Sequence, residues 1–194
     1  MTATNQDMTD DYGPLTVLLG TWRGDKGLDI APDPDGKEQN PYYESLIFEG
    51  IGEVDNAESQ HLMAVRYQQR VWRDSDDKAI HHQLGYWLWD KKSGQVMNSF
   101  TIPRGVCVLA GGSAEASASS KKMVLDVKAK ADDGEWGILQ SPFMKNNART
   151  LEFTQRLCVE GGSLSYEQTT LVDIYGSFFE HTDCSQLKHF IEDK

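Results

Sequence analysis

From Tyr42 to Ile174 the sequence repeats one pattern: short runs of alternating apolar and polar residues, each closed by a turn signal, with no helix-length stretch between them. A period of two sends successive side chains to opposite faces of a strand. The clearest case sets Met123, Leu125, Val127 and Ala129 against Val124, Asp126, Lys128 and Lys130. In the run Leu62 to Arg73, Met63, Val65, Tyr67 and Val71 share one parity. Tyr42 to Glu49, Ile80 to Asp90, Gln95 to Ile102, Gly105 to Ala110, Leu151 to Val159 and Ser163 to Ile174 follow the same habit. Asp35-Gly36, Ser93-Gly94, Gly111-Gly112, Asp133-Gly134 and Gly161-Gly162 read as turns. Ala31 to Pro41, rich in Asp, Pro and Gly, reads as a loop, and the small residues from Gly111 to Ser120 as a flexible one. The exception to this pattern is Pro14 to Leu19, a single helical turn with Pro at a tolerated start and Gly20 placed to end it. Residues 1–13 read as a loosely ordered tail and 14–194 as one domain.

Strands that follow one another without crossover helices exclude βαβ units and leave an antiparallel meander, whose edges must be closed or covered. A closed up-and-down β-barrel of about ten strands is wider than the eight-stranded kind that side chains just fill, so it leaves a cavity. The spacing alone keeps a two-sheet sandwich open, although the Cys-Trp-Cys core of an immunoglobulin-like domain is absent. A length of 194 residues supports one complete core.

Charge and cysteine usage narrow the partners. The net charge is −11, from 30 acidic and 19 basic residues, with no basic stripe. Nucleic acid is therefore excluded as a partner, and docking on an anionic membrane is disfavoured. No apolar run approaches the ~20 residues that span a bilayer, and the polar start Met1 to Asp7 lacks the features of a secretory signal. Three cysteines at wide spacings fit a reducing compartment, so the expected location is cytoplasmic. The chain carries no P-loop, no G-x-S-x-G elbow and no zinc-type histidine spacing.

Several segments, in order, resemble the nitrobindin family. Gly20-Thr21-Trp22-Arg23-Gly24-Asp25-Lys26-Gly27 is similar to its G-x-W-x-G-x-G opening, with one extra residue before the last Gly. Tyr43-Glu44, Phe48 and Gly50 follow, then Tyr67 to Trp72. His81-His82-Gln83-Leu84-Gly85-Tyr86-Trp87 resembles the family's H-x-E-x-G-[FY]-W strand, with Gln83 replacing the acid. Ile102-Pro103-Arg104-Gly105 looks like its P-[TR]-G turn, and Leu164 to Glu167, Tyr175-Gly176 and His181 complete the order. The resemblance implies a fatty-acid-binding-protein-like barrel that holds a haem, binds nitric oxide and isomerises peroxynitrite to nitrate, and can pair as a homodimer through the barrel wall. A haem-free carrier of a fatty-acid-like or other apolar ligand is the alternative on the same fold.

The resemblance also places the cofactor. It implies a haem b at the barrel mouth, its iron held by one histidine near the C-terminus, which falls on His181; the family's P-H-L reads here Glu180-His181-Thr182. A lone axial imidazole leaves the opposite face of the iron open. Gln68 stands where the family has a Thr, and Arg149 nearest to a Lys that reaches toward the haem, where a guanidinium suits a propionate. Phe178 and Phe179 are expected beside the porphyrin, and Asp183 or a carbonyl on the other ring N–H. Trp22, the fourth position assigned to the cofactor side, reads from its chemistry as a plug under one barrel end, its indole N–H finding a backbone acceptor. His81 and His82, adjacent on a strand, face opposite sides.

Overall fold

The computed structural model describes residues 11–117 and 121–191. Eleven strands form one antiparallel sheet: β1 (Gly20–Asp33), β2 (Gly36–Ala57), β3 (Gln60–Arg73), β4 (Ala79–Asp90), β5 (Val96–Ile102), β6 (Val106–Ser117), β7 (Lys122–Lys130), β8 (Ile138–Gln140), β9 (Ala148–Glu160), β10 (Ser163–Ile174) and β11 (Ser177–Phe190). Ten of them close a ring in the order β5-β4-β3-β2-β1-β11-β10-β9-β7-β6, sealed by pairing of β5 with β6. β7 pairs with β6 only from Gly111 to Ser117, and the short β8 takes over along Val106 to Val108. Closure removes the sandwich alternative and with it the exposed edges. Among the described residues no helix is long and apolar enough to cross a membrane.

One end of the barrel is filled. A 3-10 helix, Gly13–Leu18, lies there, and its Leu15 and Leu18 are fully buried among Phe48, Trp87, Leu164 and Leu187. Trp22 closes the same end, with Nε1 donating to the Leu18 carbonyl oxygen at 2.6 Å. Each such side chain contributes roughly 1.5–3 kcal/mol of burial. Tyr12 is also buried, so the expected tail of residues 1–13 ends earlier than its composition implied; residues 1–10 lie outside the described ones.

Two expected loops are strands instead. Between Ala31 and Pro41 the chain is a hairpin, with Ala31 opposite Glu38 and Pro32 opposite Lys37, and its tip is tightened by the Asp35 N–H donating to the Asp33 carboxylate at 3.0 Å. Gly111-Gly112 is not a turn but the middle of β6. A Cβ on Gly111 would strike the Trp136 ring, and one on Gly112 the backbone carbonyl of Asp126, so these glycines permit close approach. The small residues Ser113 to Ser117 continue that strand against β7; residues 118–120 lie outside the described ones. The helix α1 (Pro142–Asn147), capped by the Ser141 hydroxyl accepting from the Met144 N–H, was not foreshadowed by periodicity.

Candidate ligand cavity and its histidine–carboxylate cluster

A cavity of about 410 Å³ occupies the other end of the barrel. Phe100, Ile102, Val108, Phe153 and Val172 form an apolar wall, while Asp29, His81, Gln83, Gln168, His181 and Asp183 line the rest. The exposed Arg104 and Glu38 stand at its rim.

Asp29 reaches this cavity because of one inserted residue. The register of β1 slips against β2 between Gly24 and Gly27 and against β11 between Arg23 and Leu28, a bulge that reverses inward and outward parity. Trp22 and Asp29 therefore both face the interior, although their numbers differ in parity. A side chain at Gly27 would collide with the Tyr42 ring, so the bulge requires glycine there. Asp29 lies opposite Asp183 in the β1–β11 pairing. His181 Nε2 lies 2.5 Å from Asp29 Oδ1 and 3.8 Å from Asp183 Oδ2, and the three donor atoms fall within 4.8 Å of one another. Asn40 Nδ2 donates to the second Asp29 oxygen at 3.0 Å.

Electrostatics separate the three groups. Burial raises the Asp29 pKa, but the hydrogen bond and charge of His181, with Asn40, outweigh it and leave the carboxylate below its ordinary range. Burial likewise opposes charge on His181, yet the Asp29 hydrogen bond and the Asp183 and Asp29 charges raise its pKa overall. Asp183 is pushed up to about 7, mainly by burial and despite the His181 charge, with Asp29 and Glu44 adding repulsion. The cluster thus favours an ionised Asp29 and a proton on the His181 imidazole, while burial favours a proton on Asp183.

A chain of hydrogen bonds crosses the interior to the same carboxyl group. His81 bonds through Nε2 to Gln83 Oε1 at 3.2 Å, Gln83 donates to the Tyr67 hydroxyl at 2.5 Å, and Tyr67 donates to Asn98 at 3.0 Å. Asn98 donates to Gln155 at 3.1 Å, Gln155 to Gln168 at 3.2 Å, and Gln168 to Asp183 at 3.4 Å. Each amide donates toward the next, so the aligned dipoles present a donor to Asp183 and polarise one another. A separate buried group, Glu44 with Tyr166 and Gln69, carries a carboxyl whose pKa burial raises.

The structure distributes the residues expected at a cofactor unevenly. His181 lines the cavity. Trp22 is seven residues, or ~23 Å of strand, from Asp29 and sits in the filled end. Gln68 points outward and bonds to His82, on the opposite face from His81. Arg149 pairs with Asp132 at 2.6 Å and borders a surface groove on the outer wall. Phe178 is exposed, and Asp29, rather than Asp183, is the nearest carboxylate to the imidazole. Asp29, Gln168 and Arg104 escaped notice as site residues; only the extra residue before Gly27 marked the first of them.

An axial histidine must offer iron an unprotonated ring nitrogen. His181 supplies the imidazole, the apolar wall a surface for a porphyrin face, and Arg104 a guanidinium at the rim. Nε2, however, is taken by Asp29. The residues fit a haem with one exchange: iron on Nε2 takes the place of the proton shared with Asp29, whose carboxylate must leave that nitrogen.

Comparison with known proteins agrees with this architecture. The crystal structure of Rv2717c from M. tuberculosis superposes with a TM-score of 0.70 at 19% identity, covering 93% of this chain and 100% of that one, which establishes the shared fold. No curated protein matches the sequence. The family model of the THAP4-like, heme-binding beta-barrel domain matches residues 11–189, from the buried Tyr12 to the end of the last strand, and the chain belongs to that family.

Proposed function

We propose that the barrel binds a haem b in the open-end cavity with His181 as the iron ligand, and that ferric iron held there interacts with nitrogen oxides, including peroxynitrite-to-nitrate isomerisation. The observation that carries this reading is the position of His181: a partly buried imidazole in a cavity with one apolar wall, within the span matched by the haem-binding family. A bound haem would supply an open axial position for a small ligand. The protein's own part is to bind and exclude water. Phe100, Ile102, Phe153 and Val172 would pack on the macrocycle, Arg104 would meet a propionate, and Asp29 would give up the imidazole nitrogen.

Reconstitution with hemin tests this reading. A Soret band that forms stoichiometrically in the wild type and is lost or strongly blue-shifted in His181→Ala is the expected result; unchanged haem affinity in that variant removes His181 from the role. Stopped-flow decay of peroxynitrite with nitrate yield then reads the activity. The Asp29 contact at Nε2 favours a second reading, a haem-free carrier of an apolar ligand whose polar end meets the Asp29–His181 pair. Recovery of such a ligand by native mass spectrometry from haem-free protein would favour the carrier.

A further inference from the structure

We propose that Asp29, His181 and Asp183 form a site for a single divalent transition-metal ion, with its free coordination position facing the cavity. This goes beyond the haem reading and does not rest on it. The two modes compete for His181 Nε2.

Charge placement is the first reason. Asp29 and Asp183 are direct cross-strand neighbours that both face the interior. Like charges directly opposite one another destabilise a sheet, and burial makes the repulsion worse. Among the described residues, His181 is the one basic side chain within ion-pair distance of either carboxylate, and one imidazole balances only one of the two when both are ionised. A dication would balance both.

Geometry is the second. The three donors come from two adjacent strands and already converge, with Nε2 at 2.5 and 3.8 Å from the two oxygens. An ion bound at about 2.1 Å from each tetrahedral donor needs them ~3.4 Å apart, so one carboxylate opens slightly and the other closes slightly. The outer contacts suit ligands rather than a plain ion pair. Asn40 holds the Asp29 oxygen turned away from His181, and Gln168, at the end of the amide chain, holds Asp183. Such partners orient metal-binding carboxylates.

Ligand chemistry sets the ion class. One imidazole with two carboxylates suits Zn²⁺, Mn²⁺ or Fe²⁺ better than Mg²⁺ or Ca²⁺, which prefer all-oxygen shells. Three protein ligands with an open fourth position is the arrangement of a metal that meets a small ligand, here beside the apolar wall.

The test uses full-length protein stripped with a chelator. Co²⁺ titration followed by visible absorption, and Zn²⁺ titration by calorimetry, should show one ion per chain and a raised Tm. Asp29→Asn and Asp183→Asn, checked by near-ultraviolet circular dichroism, should each weaken binding by at least about 100-fold. Zn²⁺ binding unaffected by both variants overturns the proposal, because the ion then sits elsewhere, for example on the exposed thiols Cys107 and Cys184. If the variants do not fold, X-ray absorption on the Zn²⁺-loaded wild type decides: a nitrogen/oxygen shell with one imidazole supports the site, and a sulfur or imidazole-free shell overturns it. In wild-type protein, hemin binding without a Co²⁺ band overturns this site and leaves the haem reading standing; a Co²⁺ band without a Soret band does the reverse.

Discussion

The two ends of the barrel share the same strands and the same inward alternation, but they solve opposite problems. At the end where β1 begins, Leu15, Leu18, Trp22 and Trp87 fill the interior, and the indole N–H is satisfied by the Leu18 carbonyl. At the end where β1 finishes, the inward positions carry Asp29, His81, Gln168, His181 and Asp183 around a cavity of about 410 Å³. The polar chain from His81 to Asp183 lies among these inward residues, every amide in it paired. The difference teaches how a barrel too wide to be filled by its own strands divides the work. A plug closes one end and supplies stability, which leaves the other end able to carry buried charge.

Substitutions should therefore separate the two ends. The largest effect is expected for Trp22→Ala, which empties a fully packed site and loses a buried hydrogen bond: about 3–5 kcal/mol and a fall in Tm of roughly 10 °C, read by thermal and urea unfolding. An equally large loss from a cavity-wall residue would break the distinction between the ends.

The second effect depends on pH. Asp183 keeps its proton longer in the folded chain, with a pKa of about 7, than it does unfolded. Wherever the native state binds more protons than the unfolded one, stability falls as pH rises. The elevated His181 pKa acts in the same direction, its contribution being present at low pH and lost as pH climbs through the folded value. Asp29 acts oppositely, its stabilisation disappearing as pH falls below the ordinary carboxyl range. Asp183→Asn in metal-free protein should thus raise Tm by an amount that grows from about pH 4 to pH 7 and then levels. A gain independent of pH would mean that the Asp183 carboxyl is not held protonated by burial.

Smaller still is Ile102→Ala on the cavity wall. Its side chain packs against the core on one side and borders the cavity on the other, so a cost of about 1–2 kcal/mol, less than for a fully buried position, is expected in chemical unfolding. Smallest is Arg149→Ala, which removes a partly exposed ion pair with Asp132 on the outer wall. Such pairs contribute about 0–1 kcal/mol, and hemin titration should return the wild-type affinity. A loss of haem affinity there would show that the outer wall, and not only the cavity, takes part in binding.

Most strands between Tyr42 and Ile174, the single helical turn, the Trp22 plug and the opposite faces of His81 and His82 were legible, because each follows from near neighbours in the chain. Legibility failed where a residue answers to something distant. Gly111 and Gly112 resemble a turn until Trp136 and the Asp126 carbonyl are seen against them. Arg149 looked like a haem partner in sequence order, but its strand faces it outward toward Asp132. Asp29 was not singled out, since the extra residue before Gly27 does not by itself say that a bulge turns the strand inward there.

By itself the sequence determined that the chain is a sheet of alternating strands with one greasy face, because that period is local and needs no partner. Tertiary structure alone decided which inward residues meet. Asp29 and His181 are 152 positions apart, and they touch because β1 and β11 become neighbours when the ring closes and because the register of that pairing sets Asp29 against Asp183. Register and closure are properties of the whole barrel, so the chemistry of its open end is written in no single segment.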